Sequence, residues 1–136
     1  MTAKIIYLAH LRCESEHSDS GTCILSDAPK DNYGQGAAFS PTDLYATSLG
    51  QCMLTTIAIL GKSKNINIEG ACCYITKKMN PSPRKIAEII CELQFTSAGY
   101  SDTEKQFIEK TALNCPVALS LHPDIKKTVH FQYGKV

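Results

Sequence analysis

Residues 40–61 read SPTDLYATSLGQCMLTTIAILG, and the order of signals inside them sets how the rest of the chain can be arranged. Ser40 can accept a backbone hydrogen bond at a helix start, and Pro41 suits the first helical position. Asp43 completes an S-x-x-D box at the positive end of the helix dipole. Gly61 supplies the stop. At 1.5 Å per residue, ~20 residues span roughly 30 Å, the width of a small domain. Leu49, Met53, Ile57 and Leu60 make one apolar stripe, while Leu44, Tyr45 and Ile59 put apolar groups on other faces. That pattern predicts a central helix.

Outward from this helix the periodicity changes. Residues 4–14 alternate in part and residues 22–26 form a short apolar run, which together predict an N-terminal hairpin around a turn at 17–21. Residues 27–38 hold Pro29, Asn32, Gly34 and Gly36 and read as a loop. After the helix, residues 66–78 and 85–96 are strand-like, joined by a turn at Asn80-Pro81-Ser82-Pro83. Ser101-Asp102-Thr103-Glu104 caps a second helix carrying Phe107, Ile108, Ala112 and Leu113. Pro116 disfavours a helical backbone at Cys115 and suits a restarted first turn, so Cys115 is expected at a kink where backbone N–H groups are available to a thiolate. Residues 127–134 alternate and close the fold as a strand. The order β-β-α-β-β-α-β, with strands meeting in hairpins, predicts an α+β fold in a single domain spanning residues 1–136.

With 136 residues, 43% hydrophobic and 20% charged, the chain is long and apolar enough for a core without metal or disulfide staples. A formal net charge of +1, with no basic run, gives no electrostatic case for nucleic acid or an anionic membrane. The N-terminal stretch is cut by His10 and Arg12 and lacks a signal-peptide pattern. The longest apolar stretch is interrupted by Gly50, Gln51, Thr55 and Thr56, so no membrane span is expected and the chain reads as cytoplasmic.

Seven cysteines, an odd number in a chain without a leader pattern, argue against a disulfide framework. Cys72 and Cys73 are adjacent, so in a strand they point to opposite faces; no spacing suits a metal, and no cofactor motif is present. Cys52 and Cys115 differ from the rest, because each sits in a predicted helical, mostly apolar segment. On residues alone Cys52 reads first as a packed core thiol, and the reading of the two as a peroxide-reducing dithiol comes second. For the second reading one thiol must be kept ionised. The only arginines are Arg12 and Arg84, either of which could supply the cation, with Asp43 a carboxylate able to aim it. Taken singly, these charges read also as a strand charge, a turn charge and a plain helix cap. Cys13, Cys23, Cys72, Cys73 and Cys91 are expected to be inert. Glu14, Glu16, Glu69 and Glu88 read as isolated solvent-face charges, and no serine or aspartate pattern around the four histidines suggests a triad.

The segment SPTDLYATSLGQCMLTTIAIL resembles the central-helix motif of the OsmC/Ohr family, commonly SP-x-E-L-x-x-A-x-x-x-C. ALNCPVALSLHPDIKKTVHFQYG is similar to the same family's C-terminal motif, a second cysteine followed by an apolar helix and a last strand. NPSPRKIAEIICEL resembles the P-R-x-(apolar)-x-x-I region of the branch with shorter OsmC-like proteins, and the resemblance runs through the chain after Gly36. It implies antiparallel sheets around two central helices and an intertwined homodimer needing no metal or organic cofactor. It further implies thiol-dependent reduction of organic hydroperoxides, with Cys52 peroxidatic, Cys115 resolving, and an external dithiol of lipoyl type as reductant. In the family the carboxylate is usually glutamate, a place Asp43 takes here; Arg84 matches the P-R motif, and Arg12 lies in the N-terminal region that supplies the arginine in another branch. Phe39, Tyr45 and Met53 are candidates for an apolar pocket. The alternatives are a non-catalytic relative that binds a small molecule or partner, and a redox sensor.

Overall fold

A computed structural model describes residues 1–134 of the chain. Two compact units are distinguished, Met1–Tyr45 and the part from Ala46 onward. The first unit carries a three-stranded antiparallel sheet in the order β1 (Ala3–Ala9), β2 (Arg12–His17), β3 (Cys23–Asp27). The expected single strand over residues 4–14 is therefore two strands. The chain reverses at Ala9, His10 and Leu11, all in the left-handed region (φ 76, 51 and 63). No glycine, asparagine or proline marks this turn, so punctuation could not reveal it. The loop after β3 is held by backbone bonds, Asp27 N to Phe39 O and Gly36 N to Ala28 O among them.

Helix α1 (Pro41–Gly61) begins and ends where its local signals place it. Ser40 N and Ser40 Oγ donate to Asp43 Oδ2 at 2.8 and 2.7 Å, and Asp43 N donates back to Ser40 Oγ at 3.1 Å. Its buried side is Ala46, Leu49, Gly50, Met53, Ile57 and Gly61, a helical stripe. Leu60 falls outside that stripe, and Ile59 is 71% exposed, so one chain does not enclose the helix on all sides. By length and composition the segment could cross a bilayer, unlike the expectation above; its stripe instead packs in the core with β5.

The second sheet has the order β4 (Cys72–Pro81), β5 (Arg84–Phe95), β6 (Lys126–Tyr133). β4 and β5 form an antiparallel hairpin, but β6 runs parallel to β5, so α2 (Asp102–Leu113) and α3 (Pro116–Ser120) form a crossover rather than part of a hairpin path. The sheet is mixed, and the fold remains α+β. Residues 66–71, expected in a strand, form a turn. Glu69 N donates to Asn67 Oδ1, Ala71 N donates to Ile68 O, and Gly70 takes φ +80.

On β5, Ile89, Cys91, Leu93 and Phe95 are fully buried in strict alternation. Ile86 joins the same face because the register slips between Lys78 and Met79, which leaves Ala87 as the extra residue. These side chains, the α1 stripe, and Ile108 and Ala112 of α2 make one core with Cys115 in it. A Cβ at Gly50 would stand 2.9 Å from Ile75 Cδ1 and 3.0 Å from Cys73 Sγ, so glycine is what lets α1 lie this close to β4.

Candidate active site

Cys52 lies deep within α1, half-buried, with its Sγ 3.8 Å from Thr56 Oγ1 one turn on. Cys115 follows the end of α2 as an extended residue (φ −67, ψ 154) because Pro116 cannot accept a helical predecessor. It is thereby the N-cap of α3, and its Sγ accepts from Ala118 N at 3.5 Å. Lys127 Nζ on β6 donates to Ala118 O at 2.9 Å and ties α3 to the sheet. Cys115 is fully buried, and Cys52 lies near enough to act on its proton. Burial pushes the Cys115 thiol above its ordinary value, and the nearby Cys52 adds to this against the Ala118 N–H. Both effects favour the protonated form of Cys115.

Arg12 stands opposite Asp27 in the β2–β3 ladder. Its Nη2 donates to Gln35 Oε1 at 2.8 Å and lies 3.6 Å from Asp27 Oδ2. Asp27 is a residue the sequence reading passed over as the edge of a loop. Its carboxylate is buried and accepts Ala37 N at 2.8 Å, while Oδ1 has no partner among the described residues. The Ala37 N–H foremost, then the Arg12 charge, hold its pKa below the ordinary carboxylate value against burial. A buried carboxylate beside one guanidinium has no signature in a linear chain; only the strand register brings the two together.

Arg84 opens β5 at the hairpin turn, paired in register with Pro81. Asp43 serves as the reciprocal cap of α1 already described. Met53 is sealed in the core, whereas Phe39 and Tyr45 are largely exposed. Glu88 is not the isolated charge its sequence context suggests. It accepts Thr128 Oγ1 at 2.6 Å and pairs with Lys78 at 2.9 Å and Lys126 at 3.2 Å, joining all three strands of the second sheet. Among the described residues no group of three His, Cys, Asp or Glu side chains is placed to hold a metal ion.

Comparison with known proteins follows the same lines. The family model for OsmC-like protein matches residues 34–130. A crystal structure from Psychrobacter arcticus, named for an osmotic stress induced and detoxification response, is 43% identical, with a TM-score of 0.92 over 96% of this chain and 95% of that one. An OsmC-like protein from Mycoplasma pneumoniae (20% identity, TM-score 0.79, 98% and 96% covered) shares the fold. So does an organic hydroperoxide resistance protein OsmC from Legionella pneumophila (16% identity, TM-score 0.72, 96% and 94% covered). Among curated proteins, none matches in sequence.

Proposed function

The chain belongs to the OsmC-like protein family, and from that premise we propose that it is a cysteine-based peroxidase that reduces organic hydroperoxides through Cys52 and Cys115. The observation that carries this reading is that a half-buried Cys52 lies near enough to a fully buried Cys115 to act on its proton.

The Cys52 thiolate attacks the terminal peroxide oxygen, the O–O bond breaks, and the departing alkoxide takes up a proton to leave as an alcohol. Cys52 is left as a sulfenic acid. The Cys115 sulfur then attacks the Cys52 sulfur; the S–O bond breaks and the hydroxyl leaves as water with the Cys115 proton. The disulfide is returned to two thiols by exchange with an external dithiol, of lipoyl type in this proposal. Arg84, which follows Pro83 as in the family's P-R motif, is assigned the guanidinium that favours the Cys52 thiolate. A second copy of the chain is proposed to cover apolar residues that one copy leaves exposed, Ile59 on α1 and Ile5, Tyr7 and Leu8 on β1 among them. Seven free thiols support a reducing, cytoplasmic setting.

Replacing Cys52 with serine should abolish dithiol-dependent turnover of cumene hydroperoxide. Undiminished turnover in that variant rejects the mechanism. Oxidation of Cys52 in the native protein without recycling by dithiols assigns a sensor in place of an enzyme.

A further inference from the structure

The interior of a helix offers a cysteine no backbone donor, because each N–H near it is already spent on a carbonyl one turn back. Cys52 is in that position, in the middle of α1. Cys115, by contrast, has the Ala118 N–H at 3.5 Å. A sulfur that must carry charge at Cys52 therefore depends on side chains. One is in place: Thr56 stands one turn on, with its Oγ1 3.8 Å from Cys52 Sγ, within reach of a hydrogen bond to sulfur. A threonine inside a helix ordinarily turns its hydroxyl back to the carbonyl three or four residues before it. Thr55 does so, donating to Gln51 O at 2.9 Å and to Cys52 O at 3.3 Å. Thr56 departs from that habit, since among the described residues its hydroxyl is bonded to the Cys52 sulfur and to no carbonyl. Cys52 and Thr56 are both half-buried, whereas Met53 and Ile57, which follow each of them, are sealed. Sulfur and hydroxyl thus share the edge of the buried stripe rather than its middle.

We propose that Thr56 is a further catalytic residue: its hydroxyl donates to the Cys52 thiolate and accepts the O–H of the hydroperoxide, setting the terminal oxygen against the sulfur. The inference rests on the assignment of Cys52 as the peroxidatic thiol. A hydroxyl has one proton to give and two lone pairs to receive, so both bonds are made at once. Once Cys52 is ionised the direction of its bond to Thr56 is fixed, because a thiolate has no proton to give. In the step itself the S–O bond forms as the O–O bond breaks. The terminal O–H passes onto the sulfur as the sulfenic acid, and the departing alkoxide takes a proton from solvent. Thr56 ends with the proton it began with, so the hydroperoxide is the only reactant.

The test compares the rate of Cys52 oxidation by cumene hydroperoxide, followed on the Cys52 peptide, in the native chain and in Thr56 variants. Thr56→Val keeps the shape without the hydroxyl and should slow oxidation by about tenfold. Thr56→Ser keeps the hydroxyl and should recover the native rate. Thr56→Ala introduces a stronger helix former, should be as slow as valine, and covers the case of a valine variant that does not fold. Iodoacetamide carries no O–H to be held, so its alkylation of Cys52, above the ordinary thiol range of pH, should not slow in either variant lacking the hydroxyl. A native rate in Thr56→Val and Thr56→Ala, serine as slow as valine, or alkylation falling in step with oxidation would overturn the proposal while leaving the peroxidase standing. A native Cys52 that hydroperoxide does not oxidise would instead remove the peroxidase, and this inference with it.

Discussion

Cys115 has two separable roles, and replacing it with serine and with alanine pulls them apart. As the N-cap of α3 its sulfur accepts Ala118 N, and as a fully buried group it fills core volume. Alanine loses the cap, worth about 1 kcal/mol, and leaves a void the size of one heavy atom, worth about another 1 kcal/mol. At roughly 4 °C per kcal/mol for a chain of this size, Cys115→Ala should melt about 8 °C lower. Serine is a preferred cap, and its hydroxyl finds Ala118 N as a partner, so Cys115→Ser should cost less than about 1 kcal/mol. The chemistry should not divide this way. In both variants, one equivalent of cumene hydroperoxide should leave Cys52 as a sulfenic acid that dimedone labels, whereas native Cys52 should escape labelling and be found linked to Cys115. Thermal melts and mapping of the Cys52 peptide report the two roles separately. An unlabelled, disulfide-bonded Cys52 in Cys115→Ser refutes the resolving role, and equal melting losses in the two variants refute the capping argument.

Arg84→Ala should slow the reaction of Cys52 with hydroperoxide by about 10- to 100-fold, the size of one charge-assisted hydrogen bond, while Arg12→Ala should slow it less than about threefold; stopped-flow rates in the reverse order reassign the guanidinium. Glu88 titrates at about 2 in the folded chain against an ordinary 4.5. A depressed carboxylate stabilises above its unfolded value and loses that contribution as pH falls toward its folded one. The stability gap between native protein and Glu88→Gln should therefore be widest above pH 5 and close between about 4.5 and 2, as urea melts across pH would record. Gly34→Ala would drive a Cβ into the Ala28 carbonyl, a backbone group that cannot swing aside. Destabilisation of at least about 1–3 kcal/mol is expected, and a melt unchanged from the native protein would contradict the packing described for that loop.

What could be read from the chain, and what could not, divides by the range of the interaction involved. The start of α1 is written in Ser40, Pro41 and Asp43, and the cap of α2 in Ser101 and Glu104, groups no more than three residues apart. The break at Cys115 follows from Pro116 alone. The left-handed turn at residues 9–11 lies equally close in sequence but uses residues with no preference for it, and it was not legible. The parallel placement of β6 was also hidden, because alternation reports a strand and not its neighbour or its direction.

The same division holds for the chemistry. By itself the sequence determined which cysteines occupy helical segments and which arginines and carboxylates were available, since those are matters of residue type and local propensity. Only the tertiary structure decided that Cys115 lies close to Cys52, that Asp27 holds Arg12, and that Glu88 joins three strands. Each of those contacts joins residues at least ten positions apart, and each is set by strand register or by the packing of helices. A linear pattern carries neither, because a slip of one residue in a ladder turns every side chain to the opposite face.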